Sequence, residues 1–239
     1  MVIFDLKTYH VLGKITAEPD ADGIIYDAAS DKVLLVCGDA GVLIPISPAV
    51  DPEHGSADPE IDLGGKPEFL AVDGQGLAFV NLNDKDQVAV IDTRTMKIVA
   101  KWPTAPGGAP VGLSIDPTLH RLFIGCRKPQ KLIVMSTQDG KILADLPIGP
   151  GVDATGFAGD AFASCRDGTL SVAREVTPGH FEIVQTVATP IGARTLGLDP
   201  QTRRLYLPTA EFGPAVPNKR PAAKPDTFMV VVVDASPSH

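Results

Sequence analysis

No stretch of the 239-residue chain is apolar for long enough to span a bilayer. The longest run, MVVVVDA at 229–235, is broken by Asp234 and falls well short of the roughly 20 residues a spanning helix needs. Membrane insertion is therefore not expected. A signal peptide is not seen either, since Met1 leads into VIFDL without a basic region, an apolar region and a small-residue cleavage site. Cysteine is scarce: Cys37, Cys126 and Cys165 are odd in number and lack the paired spacing of zinc sites, which excludes a disulfide framework and a structural zinc. Aromatics are few, with one Trp and three Tyr, and positive charge is dispersed, with 21 Lys and Arg against 29 Asp and Glu for a net charge of −8. Nucleic-acid surfaces concentrate positive charge, and single-strand binders interleave it with aromatic rings, so this composition argues against such a partner. No GxSxG, P-loop, HExxH or EF-hand pattern occurs, and the histidines show no ligand-type pairing. Catalysis has no sequence signature.

What the chain does have is glycine (23), proline (22) and many short runs of Val, Ile and Leu, the profile of numerous strands joined by numerous turns. These runs recur. An apolar strand, here called a, is seen as GIIYD at 23–27, FLAVD at 69–73, GLSID at 112–116, ATGFA at 154–158 and TLGLD at 195–199. After a turn rich in Asp, Gly or Pro comes strand b: VLLVC, LAFVN, LFIGC, AFASC and LYLPT. Strand c follows as in VAVID at 88–92, and strand d as in KIVAKW at 97–102. The repeats lie near 20–64, 65–108, 109–151, 152–192 and 193–239, a spacing of the kind found in β-propellers. Residues 1–17 would supply a partial blade or closing strands. A single all-β domain of about five four-stranded antiparallel blades is expected, because a blade cannot bury both faces alone.

The phrases VAVIDTRTMKIVA, DPTLHRLFIG, DPQTRRLYL and GKPEFLAVD, spread over almost the whole chain, resemble the YVTN-type β-propeller repeat proteins. The resemblance implies a seven-bladed parent of which this chain is the C-terminal five-sevenths, and a periplasmic or extracellular location. A closed five-bladed ring, with residues 11–17 beside 229–235, is the alternative.

Candidate site residues come from the repeat register. The fifth position before the last residue of strand a holds Asp22, Glu68, Val111, Asp153 and Arg194. If strand a is innermost, Asp22, Glu68, Asp153 and Arg194 are candidates to line a polar mouth. Asp22, Glu68 and Asp153 would then be candidate oxygen ligands for a hard divalent cation such as calcium. The alternative is that they are solvated loop residues. The fifth residues of strand b, Cys37, Asn81, Cys126, Cys165 and Thr209, fall on equivalent sites, which predicts small buried side chains and free thiols. Two segments interrupt the repeat: 46–64 between strands c and d of the first, and 209–227 between b and c of the last. The second carries Glu211 and Phe212 at the end of a strand, a candidate contact point. The resulting expectation is a non-enzymatic platform binding a small molecule or protein. The alternatives are a calcium-dependent lactonase-like hydrolase and, less in keeping with the charge, a single-stranded DNA binder.

Overall fold

The computed structural model describes residues 1–214 and 221–234, and among them the one helical segment is a 3-10 turn at Asn83–Lys85. The chain divides into two compact units, Met1–Ala105 and Pro106–His239, so the division falls between the second and third repeats.

In the first unit, β1 (Val2–Phe4) and β2 (Val11–Lys14) form an antiparallel hairpin. Two four-stranded antiparallel sheets follow in simple meander order. One comprises β3 (Ala21–Asp27), β4 (Lys32–Cys37), β5 (Val42–Ile46) and β6 (Ile61–Asp62). The other comprises β7 (Pro67–Val72), β8 (Leu77–Leu82), β9 (Gln87–Asp92) and β10 (Lys97–Pro103). The second unit contains a sheet of β11 (Pro110–Asp116), β12 (Arg121–Arg127), β13 (Gln130–Ser136) and β14 (Ile142–Pro147). A second is made of β15 (Val152–Ala158), β16 (Asp160–Cys165), β17 (Thr169–Thr177) and β18 (His180–Ala188). A three-stranded sheet of β19 (Gly197–Asp199), β20 (Arg204–Thr209) and β21 (Met229–Asp234) ends the described chain. The all-β blade architecture expected from the repeat is thus present, with strands a and b starting within two residues of their expected positions.

Burial explains the sequence pattern. Middle strands such as β4, β8, β9, β12 and β13 are covered on both faces and read as continuous apolar runs. The fourth strands, β10 and β14, have one face toward solvent and read as alternation. In the first unit, Leu34, Val36 and Leu43 of one sheet pack on Leu70, Val80, Ala89 and Ile91 of the next. In the second, Phe123, Leu132 and Val134 meet Val152, Ala163, Ala173 and Phe181, and Phe162, Leu170 and Val172 meet Leu205 and Leu207. Phe123 stacks on Phe157 with centroids 5.0 Å apart and meets Phe181 edge-on at 6.3 Å. Arg121 lies over the Phe181 ring and forms a bidentate ion pair with Glu175, fastening these two sheets at their polar margin.

The aspartate that closes strand a, or directly follows it, is a turn cap. Asp73 Oδ1 accepts from the backbone N–H groups of Gln75, Gly76 and Leu77 at 2.7–3.0 Å, and Asp116 accepts from Thr118 and Leu119 at 3.0 and 3.1 Å. Asp27 and Asp199 do the same in their own turns. The fourth repeat has Ala158 at this place. There Asp160 is held by Arg174 through two 2.8 Å bonds and by Arg203 at 3.5 Å. The 46–64 insertion folds back onto its own sheet: Val50 and Ala57 pack on the face formed by Leu35, Cys37 and Ile44, and Asp58 pairs with Lys32 at 2.6 Å.

Candidate functional site

Strand a does not run straight. Its ladder to strand b shifts register between Ala21 and Gly23, between Pro67 and Leu70, between Pro110 and Leu113, and between Val152 and Ala154. The positions marked by the repeat, Asp22, Glu68, Val111 and Asp153, therefore sit within β-bulges, the local device that re-aims a side chain. The cysteines stand beside the same feature, with Cys37, Cys126 and Cys165 paired to Ala21, Pro110 and Val152 just before the shift. All three are free and buried, as the register predicted. Burial pushes the Cys165 thiol up to about 12, with the Asp167 charge adding to it, and burial also raises Cys37.

Neighbouring first strands approach closely within each unit. A Cβ added to Gly112 would lie 2.7 Å from the Thr155 nitrogen and 3.0 Å from Ala154 Cα, so β11 and β15 touch backbone to backbone there. Gly23, at the equivalent position of β3, meets β7 chiefly through the Leu70 side chain, 2.7 Å from an added Cβ, with the Glu68 carbonyl at 3.1 Å.

In the first unit, Asp22 and Glu68 lie on these adjacent strands β3 and β7, and a Cβ at Gly38 would meet Asp22 Oδ2 at 2.4 Å and Asp20 Oδ2 at 3.0 Å. In the second, Asp153 and Arg194 are brought together. Arg127 donates through Nη2 to Asp153 Oδ1 at 2.5 Å and through Nε to the Val152 carbonyl at 2.9 Å, while Arg194 Nη1 lies 3.3 Å from the same carboxylate oxygen. The buried hydroxyl of Ser164 donates to the Arg194 carbonyl, fixing the segment that carries the guanidinium. Among the described residues, no three His, Cys, Asp or Glu side chains are grouped as a metal ion would require.

Arg194 also lines a cleft of about 800 Å³, and so do Glu211 and Phe212, the two other residues that the sequence singled out in this unit. The cleft lies between the turn at 190–194, Arg166 at the end of β16, and the described part of the 209–227 insertion. That insertion folds into an arm: Phe212 and Ala223 form an antiparallel bridge, Gly213 N–H donates to Ala222 and Lys224 N–H to Glu211. Lys224 pairs with Glu211 at 3.0 Å across it. The Phe212 ring rests on Gly192, which has φ +90° and whose added Cβ would fall 2.4 Å from the ring. Gly192 N–H bonds the Arg166 carbonyl and Arg194 N–H the Gly192 carbonyl, so both arginines are anchored by one short turn. The apolar walls are open to solvent, with Ile191 72%, Phe212 40% and Met229 38% exposed.

Arg166, Ile191 and Met229 hold no marked place in the repeat register. A signal for Arg166 exists: the dipeptide Cys-Arg recurs at 126–127 and 165–166, placing an arginine directly after the buried cysteine in two consecutive repeats. Arg127 uses this place to reach Asp153 of the following sheet.

No family model matches the chain. It is 28% identical over 144 residues to the "Uncharacterized protein YncE" of Salmonella typhi and to that of Salmonella typhimurium, an alignment covering 58% of this chain and 40% of theirs. The match therefore takes in about two fifths of the length of these curated relatives. Among solved structures, the Kuenenia stuttgartiensis hydrazine synthase matches 98% of this chain and 67% of its own with a TM-score of 0.71 at 15% identity. A streptogramin B lyase structure matches 80% of this chain and 63% of its own at 0.64 and 12% identity. A putative 6-phosphogluconolactonase from Bacteroides uniformis matches 79% and 64% at 0.63 and 13% identity. No helix among the described residues is long and apolar enough to cross a membrane. At such identities the structural likeness speaks for fold alone, and with the sheets described above the fold is that of a β-propeller.

Proposed function

We propose that the chain belongs to a binding protein of the YVTN type, non-enzymatic and working outside the cytoplasm, whose ligand site is the cleft between Arg166, Arg194 and Phe212. The observation that carries this reading is the cleft itself. Its volume of about 800 Å³ lies in the range of small-molecule sites, and its lining combines exposed apolar walls with a few converging polar groups. Isolated exposed apolar residues are ordinary, but three facing one concavity beside charged groups mark a contact surface. Asp153 supports the site from behind by holding Arg194 in place.

The test is a small-molecule screen by thermal shift, followed by NMR of the hits with methyl-labelled Ile and Met. Stabilisation of roughly 2.7 kcal/mol is expected at a hundredfold excess of ligand over its dissociation constant. Shifts centred on Ile191 and Met229 support the reading, and hits that leave both unmoved overturn it. Calcium titration with a lactone hydrolysis assay addresses the enzyme alternative. Calcium-dependent turnover, lost in Asp22→Asn or Glu68→Gln, would replace the binding reading with the hydrolase.

A further inference from the structure

We infer that the cleft takes a small organic acid, with a carboxylate between Arg166 and Arg194 and an aromatic or branched aliphatic body against Ile191, Phe212 and Met229. This rests on the reading of the cleft as a ligand site and names the class of ligand.

Two equivalent places in one unit differ in the charges they bring together. At the contact between the third and fourth repeats, the arginine after the buried cysteine, Arg127, meets the bulge residue of the next sheet, Asp153, and the charges cancel. At the contact between the fourth and fifth, the arginine after the buried cysteine is Arg166, and the register position corresponding to Asp153 is Arg194. The repeat thus sets a cation where the preceding one set a carboxylate. Both guanidiniums line the same cleft, and among the described residues no carboxylate lies within ion-pair distance of Arg166. The carboxylate lining the cleft, Glu211, is engaged by Lys224. Arg194 also faces Asp153 at 3.3 Å and Lys224 faces Glu211 at 3.0 Å, so Arg166 is the lining cation whose charge no described carboxylate meets, on a chain of net charge −8.

Arginine pairs favour a planar, bidentate anion, and a carboxylate matches that geometry. The rest of the lining adds the second requirement. Pro190, Ile191, Phe212 and Met229 offer surface that a fully hydrated inorganic ion would leave uncovered. An acid with an apolar body satisfies both.

The experiment is isothermal titration of the chain with a panel of monocarboxylates bearing aromatic or branched aliphatic tails, each beside its primary amide, which keeps the shape and removes the charge. The acids are expected to bind at least about tenfold more tightly than their amides, the size of one charge-assisted hydrogen bond. Arg166→Gln should abolish that advantage while leaving the melting temperature unchanged, because Arg166 is exposed and its side chain holds no described partner. Phe212→Ala should weaken acid and amide alike. Amides binding as tightly as acids, or an acid preference that survives Arg166→Gln, overturn the ligand class and leave the cleft reading standing. If no acid or amide binds, and the broader screen also yields no hit at Ile191 or Met229, both fall.

Discussion

Cys165 shows how one residue reports on the packing around it. Its thiol lies beside the strand-a bulge, pushed up to about 12 by burial, so at neutral pH it is neither a thiolate nor accessible to reagent. Native protein exposed to iodoacetamide at pH 8 is expected to remain unmodified at Cys37, Cys126 and Cys165, and to take up three labels once unfolded in denaturant, as counted by mass spectrometry. Rapid native labelling of any of them would show that the register has been misassigned. Gly192 makes a sharper residue-level case, because it is constrained twice. Its φ of +90° disfavours any side chain, and the Phe212 ring occupies the space a Cβ would take. Gly192→Ala should destabilise by about 1–3 kcal/mol in urea unfolding. It should also shift Phe212 resonances, since the ring must move for the methyl group to fit.

At the scale of elements, the decisive contact is strand a on strand a within each unit. The two equivalent glycines there differ in what they face: backbone of β15 for Gly112, chiefly the flexible end of Leu70 for Gly23. Gly112→Ala is therefore expected to lower stability by about 1–3 kcal/mol and Gly23→Ala by distinctly less, measured by chemical denaturation of the two variants side by side. Equal losses would mean that the strands do not meet as described. These elements were largely legible in the sequence, because apolar runs and capping aspartates are local signals and each was written four or five times. The bulges were not, since a register shift is a property of the ladder between two strands and leaves no mark in either alone. The arm that carries Phe212 was equally hidden. It is held by a bridge to Ala223, a few backbone bonds and the Lys224–Glu211 ion pair, with no periodicity to announce it. Of the residues lining the cleft, Arg194, Glu211 and Phe212 follow from register and composition, whereas the signal for Arg166 is the recurrent Cys-Arg dipeptide.

For the molecule as a whole, the turn-capping carboxylates set the response to acid. Hydrogen bonds from the Thr95 N–H to Asp92 and from the Thr202 hydroxyl to Asp199 hold these groups below the ordinary carboxylate range, and Arg121 does the same for Glu175. At Asp27 burial acts in the opposite direction, but bonds from the Ser30 hydroxyl and N–H act against it and its value is also lowered. A carboxyl with a lower value folded than unfolded contributes its full stability above the unfolded value of about 4 and loses it as pH falls through the folded value. Melting temperature should thus be level from pH 7 to about 5 and fall steadily below about 4, and Glu175→Gln should make that fall shallower. A protein equally stable at pH 3 and pH 7 would contradict it. The bulges bear on a different matter, the freedom of this fold to change. One equivalent place in four sheets holds Asp22, Glu68, Val111 and Asp153, so acid and aliphatic residues alternate there without disturbing the ladders on either side. Each blade in effect offers an interchangeable slot whose occupant can be rewritten by mutation while the scaffold is inherited unchanged, and repeat proteins built this way can acquire new specificities one position at a time.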